Sequence, residues 1–141
     1  MATTRTASTH WEGSLFEGAG KTTFESSGLG TFDVSWASRA EEANGKTSPE
    51  ELIAAAHSAC FSMAFSNGLA KAGTPPTSLD TSAEVDFVPG TGITQIRLTV
   101  RGTVEGISEE DFVAAAQAAK EGCPVSQALK AVDITLDAAL A

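Results

Sequence analysis

Ser48-Pro49-Glu50-Glu51-Leu52-Ile53-Ala54-Ala55-Ala56-His57-Ser58-Ala59-Cys60-Phe61-Ser62-Met63 opens with the clearest helix start in the chain. Ser48 fits the N-cap, Pro49 the first helical position, and Glu51, three residues after Ser48, completes a capping box. The predicted helix runs to about Lys71 and ends near Gly73 and Pro75-Pro76. Its middle is small or apolar on nearly every side, so it must be covered from several directions. That makes it the expected central helix.

Outward from this helix the chain reads as β structure. His10-Trp11-Glu12 and Lys21 to Glu25 flank Gly18-Ala19-Gly20 and predict a hairpin. Phe32, Val34 and Trp36 alternate with Asp33 and Ser35, the period of a half-buried strand. Arg39 stands at the end of that strand, before a polar loop. On the other side, Ala83, Val85 and Phe87 lead through Pro89-Gly90-Thr91-Gly92 into Ile96, Leu98, Val100 and Val104, a long hairpin with one buried face. Ser108 and Asp111 open a second helix that Gly122 stops, and Cys123-Pro124 starts a short third one. Val132, Ile134, Leu136 and Ala138 alternate in a last strand. The order β-β-β-α-β-β-α-α-β is α+β.

The 141 residues predict one domain, 1–141. Nine basic against 18 acidic residues leave a net charge of −9, which argues against a nucleic-acid partner and against an anionic membrane surface. The most apolar run, Leu52 to Phe65, is short for a bilayer and carries His57, Ser58 and Ser62. Met1 to His10 is polar, without an apolar signal-peptide core, so the expected location is cytoplasmic.

Two cysteines, Cys60 and Cys123, lie 63 positions apart and form no C-x-x-C. In a reducing compartment they are two buried thiols or a catalytic pair. Cys60 sits mid-helix, where a cysteine packs like a small hydrophobe. Cys123 sits at a helix start, where a thiolate is favoured. His57, three residues before Cys60, either pairs with it as in a Cys–His hydrolase or hydrogen-bonds locally. The two histidines and two cysteines have no recognised zinc spacing, and neither a metal nor a cofactor is expected. Glu51 is explained by the capping box; Glu50 is free of it.

Residues 48–63, together with Gly122-Cys123-Pro124-Val125-Ser126-Gln127-Ala128-Leu129, resemble the two cysteine motifs of the OsmC/Ohr family. His10-Trp11-Glu12-Gly13 and Ile134-Thr135-Leu136-Asp137 fit its OsmC branch. The resemblance implies a peroxidase that reduces organic hydroperoxides, with antiparallel sheets wrapped around a central buried helix in an intertwined homodimer. It implies Cys60 as the reactive cysteine, Cys123 as the resolving one, and Glu50 and Arg39 as the acid and the arginine of the site. It also suggests an external dithiol, of lipoyl type, as reductant.

These residue types suit the chemistry. A thiolate cleaves the O–O bond, and a buried thiol needs a nearby cation to ionise, here Arg39. Glu50 would hold that guanidinium by a bidentate contact. Glu50 and Cys60 are ten residues apart, about 15 Å along one helix. Two helices crossing antiparallel about a two-fold axis bring Glu50 of one chain to Cys60 of the other. A non-catalytic dimer that binds apolar ligands is the remaining alternative.

Overall fold

The computed structural model describes residues 1–141 and is α+β. By internal packing the chain divides into two compact units, Met1–Leu52 and Ile53–Ala141. In the first, β1 (Ala7–Glu12), β2 (Ala19–Phe24) and β3 (Thr31–Val34) form an antiparallel sheet in that order. The turn expected at Gly18-Ala19-Gly20 lies earlier, over residues 13–18, closed by the Gly18 N–H on the Ser14 carbonyl at 2.8 Å.

The strand expected to run through Trp36 stops at Val34. Ser35 instead caps a short helix, α1 (Trp36–Ala40), so Arg39 stands on a helix and not at a strand end. The cause is a capping box the alternation conceals: the Ser35 hydroxyl accepts from the Ser38 N–H at 3.1 Å, and the Ser38 hydroxyl accepts from the Ser35 N–H at 3.0 Å.

The long helix α2 spans Pro49–Lys71, as the sequence predicts. Ser48 accepts from the Glu51 N–H at 3.1 Å, but the Glu51 carboxylate takes the Thr47 hydroxyl at 2.6 Å, so only half of the expected capping box carries the start. By length and composition α2 could cross a membrane. Its stripe His57, Phe61, Phe65 and Leu69, at four-residue spacing, is nevertheless fully buried in the core of the second unit. Cover from several directions is incomplete within one chain: Ala55, Ala56, Ala59 and Met63 are exposed, Met63 to 72%.

The second unit adds β4 (Ser78–Val88), β5 (Gly92–Thr103), α3 (Glu109–Gly122), α4 (Pro124–Ala128) and β6 (Asp133–Leu140). β4 and β5 form the expected antiparallel hairpin. β6 departs from the antiparallel expectation and runs parallel to β5, pairing Ile96 with Ile134 and Leu98 with Leu136. A parallel neighbour needs a long crossover, and α3 and α4 supply it. Leu98, Val100, Phe112, Ala116 and Cys123 complete the core around Phe61 and Phe65. Phe112 lies 5.0 Å from Phe65 between ring centroids, and a Cβ on Gly102 would stand 2.7 Å from Phe112, so β5 has no room there for a side chain.

Candidate active site

In the first unit the local folding of residues 35–50 aims one cation at one carboxylate. The Asn44-Gly45 turn has positive φ at both positions (52° and 79°) and returns the chain, and Thr47 donates its N–H to the Asp33 carbonyl at 2.9 Å. The buried Ser38 hydroxyl lies 2.9 Å from the Thr47 carbonyl and ties α1 to the start of α2. Arg39 on α1 thereby meets Glu50 in the first turn of α2. Its Nε donates to both carboxylate oxygens at 3.1 Å and its Nη2 to Oε2 at 2.9 Å. Glu50 is only 7% exposed. Such a fork holds the guanidinium in one orientation. Arg39 also lines an apolar recess of about 310 Å³ with Trp11, Leu15, Val34, Trp36 and Leu52.

In the second unit α2 and the start of α4 bring Cys60 and Cys123 together. Both thiols are free, and Cys60 packs against the core cluster that holds Cys123. Cys60 is partly exposed and lines a groove of about 660 Å³ with Met63, Ala64, Ala115, Ala119 and Pro124. Cys123 is fully buried. Their proton affinities diverge. Burial pushes the Cys60 thiol up, and the neighbouring Cys123 adds to that. Burial works against the Cys123 anion too, but there the Ser126 N–H, the Cys60 thiol, the Val125 N–H and the Ser126 hydroxyl outweigh it, and its pKa falls below the usual thiol value. The direction expected for Cys123 at a helix start therefore holds.

His57 does not pair with Cys60. Its Nε2 lies 2.7 Å from the Ser126 hydroxyl, 69 positions away, and its buried Nδ1 has no hydrogen-bond partner. Neither the Cys–His hydrolase geometry nor a local hydrogen bond is formed. Burial keeps the ring's pKa below its ordinary value. His10 pairs instead with Glu12 on the exposed β1. Ser126 is the residue that the sequence reading missed. Its place at the third position of α4 is the available signal, because N–H groups and small hydroxyls gather at helix starts.

Residues 42–137 match the family described as OsmC-like protein. Over 131 residues, 91% of this chain and 90% of that protein, the sequence is 48% identical to Peroxiredoxin OsmC of Escherichia coli (strain K12). The crystal structure of an organic hydroperoxide resistance protein OsmC from Legionella pneumophila is 26% identical with a TM-score of 0.71, covering 99% of this chain and 98% of that one. The organic hydroperoxide resistance protein OhrB of Bacillus subtilis is alike in fold, with a TM-score of 0.68 at 24% identity over 94% of this chain and 97% of that one.

Proposed function

The chain belongs to the OsmC-like protein family, and from that premise we propose that it is a thiol-dependent peroxidase that reduces organic hydroperoxides to alcohols. The observation that carries the reading is the contact between two free thiols of unequal access, Cys60 at a groove and Cys123 buried behind it. Cys60 is the thiol a peroxide can reach. Its thiolate attacks the terminal peroxide oxygen, the O–O bond breaks, and the alkoxide leaves to take a proton as the alcohol. Cys60 is left as a sulfenic acid. The Cys123 thiolate then attacks the Cys60 sulfur, the S–O bond breaks, and hydroxide leaves as water after protonation. An external dithiol of lipoyl type returns both cysteines to thiols by exchange.

Cys60 needs a cation, because burial holds its thiol protonated. Arg39, oriented by Glu50, is the cation we assign to it. Ten residues of α2 separate Glu50 from Cys60, so the reading takes Arg39 and Glu50 from a second copy of the chain. The exposed apolar face of α2 around Met63 and the exposure of every residue of β1 support a homodimer. Small residues at Ala55, Ala56 and Ala59 let two helices approach closely. The recess beside Arg39 suits an alkyl chain, each buried CH₂ contributing about 0.8 kcal/mol. We place the protein in the cytoplasm, where dithiol reductants keep the pair open. The test is hydroperoxide consumption with a dithiol reductant: wild type turns over, Cys60→Ser does not, and an alkyl hydroperoxide outcompetes hydrogen peroxide. Equal turnover by Cys60→Ser overturns the reading.

A further inference from the structure

We propose that the buried hydrogen bond between His57 and Ser126 is a brace that fixes the short helix of Cys123 against the helix of Cys60 at disulfide-forming distance, making both residues positioning residues for the resolving step. The inference rests on the peroxidase reading for the source of the sulfenic acid, and not for the dithiol geometry it concerns.

Three observations carry it. His57 lies three residues before Cys60 on α2, and Ser126 three residues after Cys123 at α4. Residues three apart are neighbours on one helix face, so each partner of the bond stands about one turn from its thiol. Cys60 lines one groove with Gly122 and Pro124, the residues on either side of Cys123. The bond and the thiol pair therefore join the same two segments.

The second observation is how little else holds α4 to α2. α4 has five residues, closed by the Gln127 N–H on the Cys123 carbonyl at 3.0 Å and the Leu129 N–H on the Val125 carbonyl at 2.9 Å. A helix this short does not hold itself in place. Its side chains reach one neighbour each. Gln127 Nε2 donates to the Glu121 carbonyl of α3 at 2.9 Å, and Ser126 Oγ lies 2.7 Å from His57 Nε2 on α2.

The third is the cost. His57 is fully buried at the head of a stripe that is otherwise Phe61, Phe65 and Leu69, and its Nδ1 has no partner. An apolar side chain there would desolvate no polar atom. The imidazole is kept at the position from which α2 reaches Ser126. Either tautomer makes the bond, since Nε2–H donates to the hydroxyl or the hydroxyl donates to Nε2.

A disulfide closes without backbone movement only when the two Cα atoms stand about 4.4–6.8 Å apart. A misplacement of about 1 Å can slow a reaction about 100-fold. With the brace in place, the Cys123 sulfur attacks the Cys60 sulfenic sulfur, the S–S bond forms as the S–O bond breaks, and hydroxide leaves. Without it the sulfenic acid lives longer, and a second hydroperoxide oxidises it to the sulfinic acid and leaves as alcohol.

The test equilibrates the reduced full-length protein with mixtures of reduced and oxidised dithiothreitol and reads the Cys60–Cys123 disulfide by thiol alkylation. The buffer disulfide is reduced as the protein thiols are oxidised, so no hydroperoxide is needed. Ser126→Ala, a small exchange, is expected to lower the disulfide equilibrium constant about tenfold, and His57→Phe similarly. The double variant loses no more, because each change removes the same bond. His57→Gln, whose amide can donate or accept, restores the wild-type value. Leu69→Ala opens a cavity in the same stripe away from the thiols, so it lowers stability and leaves the equilibrium unmoved. With an alkyl hydroperoxide, Ser126→Ala still releases alcohol but accumulates sulfinic acid at lower excess than wild type. An equilibrium unmoved by Ser126→Ala, or lowered as much by Leu69→Ala, overturns the brace. Wild-type protein without hydroperoxide turnover, but with the expected shifts in the buffer, overturns the peroxidase reading and leaves the brace standing.

Discussion

In the proposed reaction two neighbouring cysteines take different parts because their surroundings differ. Cys60 is reachable and burial raises its thiol pKa, whereas Cys123 is buried and its pKa lies below the usual thiol value. The cation assigned to Cys60 therefore decides the pH at which the enzyme works. Arg39→Met should move the rising limb of the pH–rate profile to higher pH by about 1–3 units, since the thiolate then forms only above the raised thiol pKa. A profile unmoved by that change would remove Arg39 from the site. His57 makes the opposite kind of prediction. Its folded pKa lies below the ordinary value of 6.5, so between the two values the unfolded chain binds more protons. The stability that neutral His57 contributes is fully present above 6.5 and is lost as pH falls from there toward the folded pKa. His57→Gln should flatten that part of a stability–pH curve measured by denaturant unfolding. At this scale the sequence showed which residue types matter but not who meets whom. The fork between Arg39 and Glu50 needs only a short loop and was legible. The bond from His57 to Ser126 joins segments 69 positions apart, and no local pattern announces it.

The elements were mostly legible because each carries its own signal. α2 has a proline at its first position, a serine cap and a long run of helix formers. Ser48→Ala should cost about 1 kcal/mol in unfolding free energy, the loss of one cap. The helix has an apolar residue on almost every face, so periodicity could not show which stripe enters the core. The structure chooses His57, Phe61, Phe65 and Leu69. α1 was misread as strand because Phe32, Val34 and Trp36 keep period two straight through its cap. β6 was assigned correctly as a strand, but its direction depends on where the crossover returns the chain, which alternation does not encode. The contact of Phe112 with Gly102 is equally silent in the sequence. Gly102→Ala should destabilise the protein by about 1–3 kcal/mol through overpacking, measured as a shift in denaturant midpoint at constant slope.

At the scale of the whole molecule, one chain leaves too much apolar surface open. Met63 is 72% exposed amid alanines on α2, and Phe16, Leu29 and Phe32 are exposed in the first unit. In the proposed dimer a second copy covers the α2 face around Met63 and brings Arg39 and Glu50 of one chain to Cys60 of the other. Met63→Glu places a charge on that face, and should yield a monomer by sedimentation with hydroperoxide turnover lost in parallel. A monomer of full activity would contradict the shared site. The central claim, a Cys60 nucleophile resolved by Cys123, is tested most directly by adding one equivalent of an alkyl hydroperoxide to the reduced protein and following alcohol, free thiols and sulfenic acid together. The account predicts one alcohol and the loss of both thiols in wild type, one alcohol with a trappable sulfenic acid in Cys123→Ser, and no alcohol in Cys60→Ser. Alcohol formed at the wild-type rate by Cys60→Ser, or unchanged disulfide formation that bypasses Cys123, would contradict it.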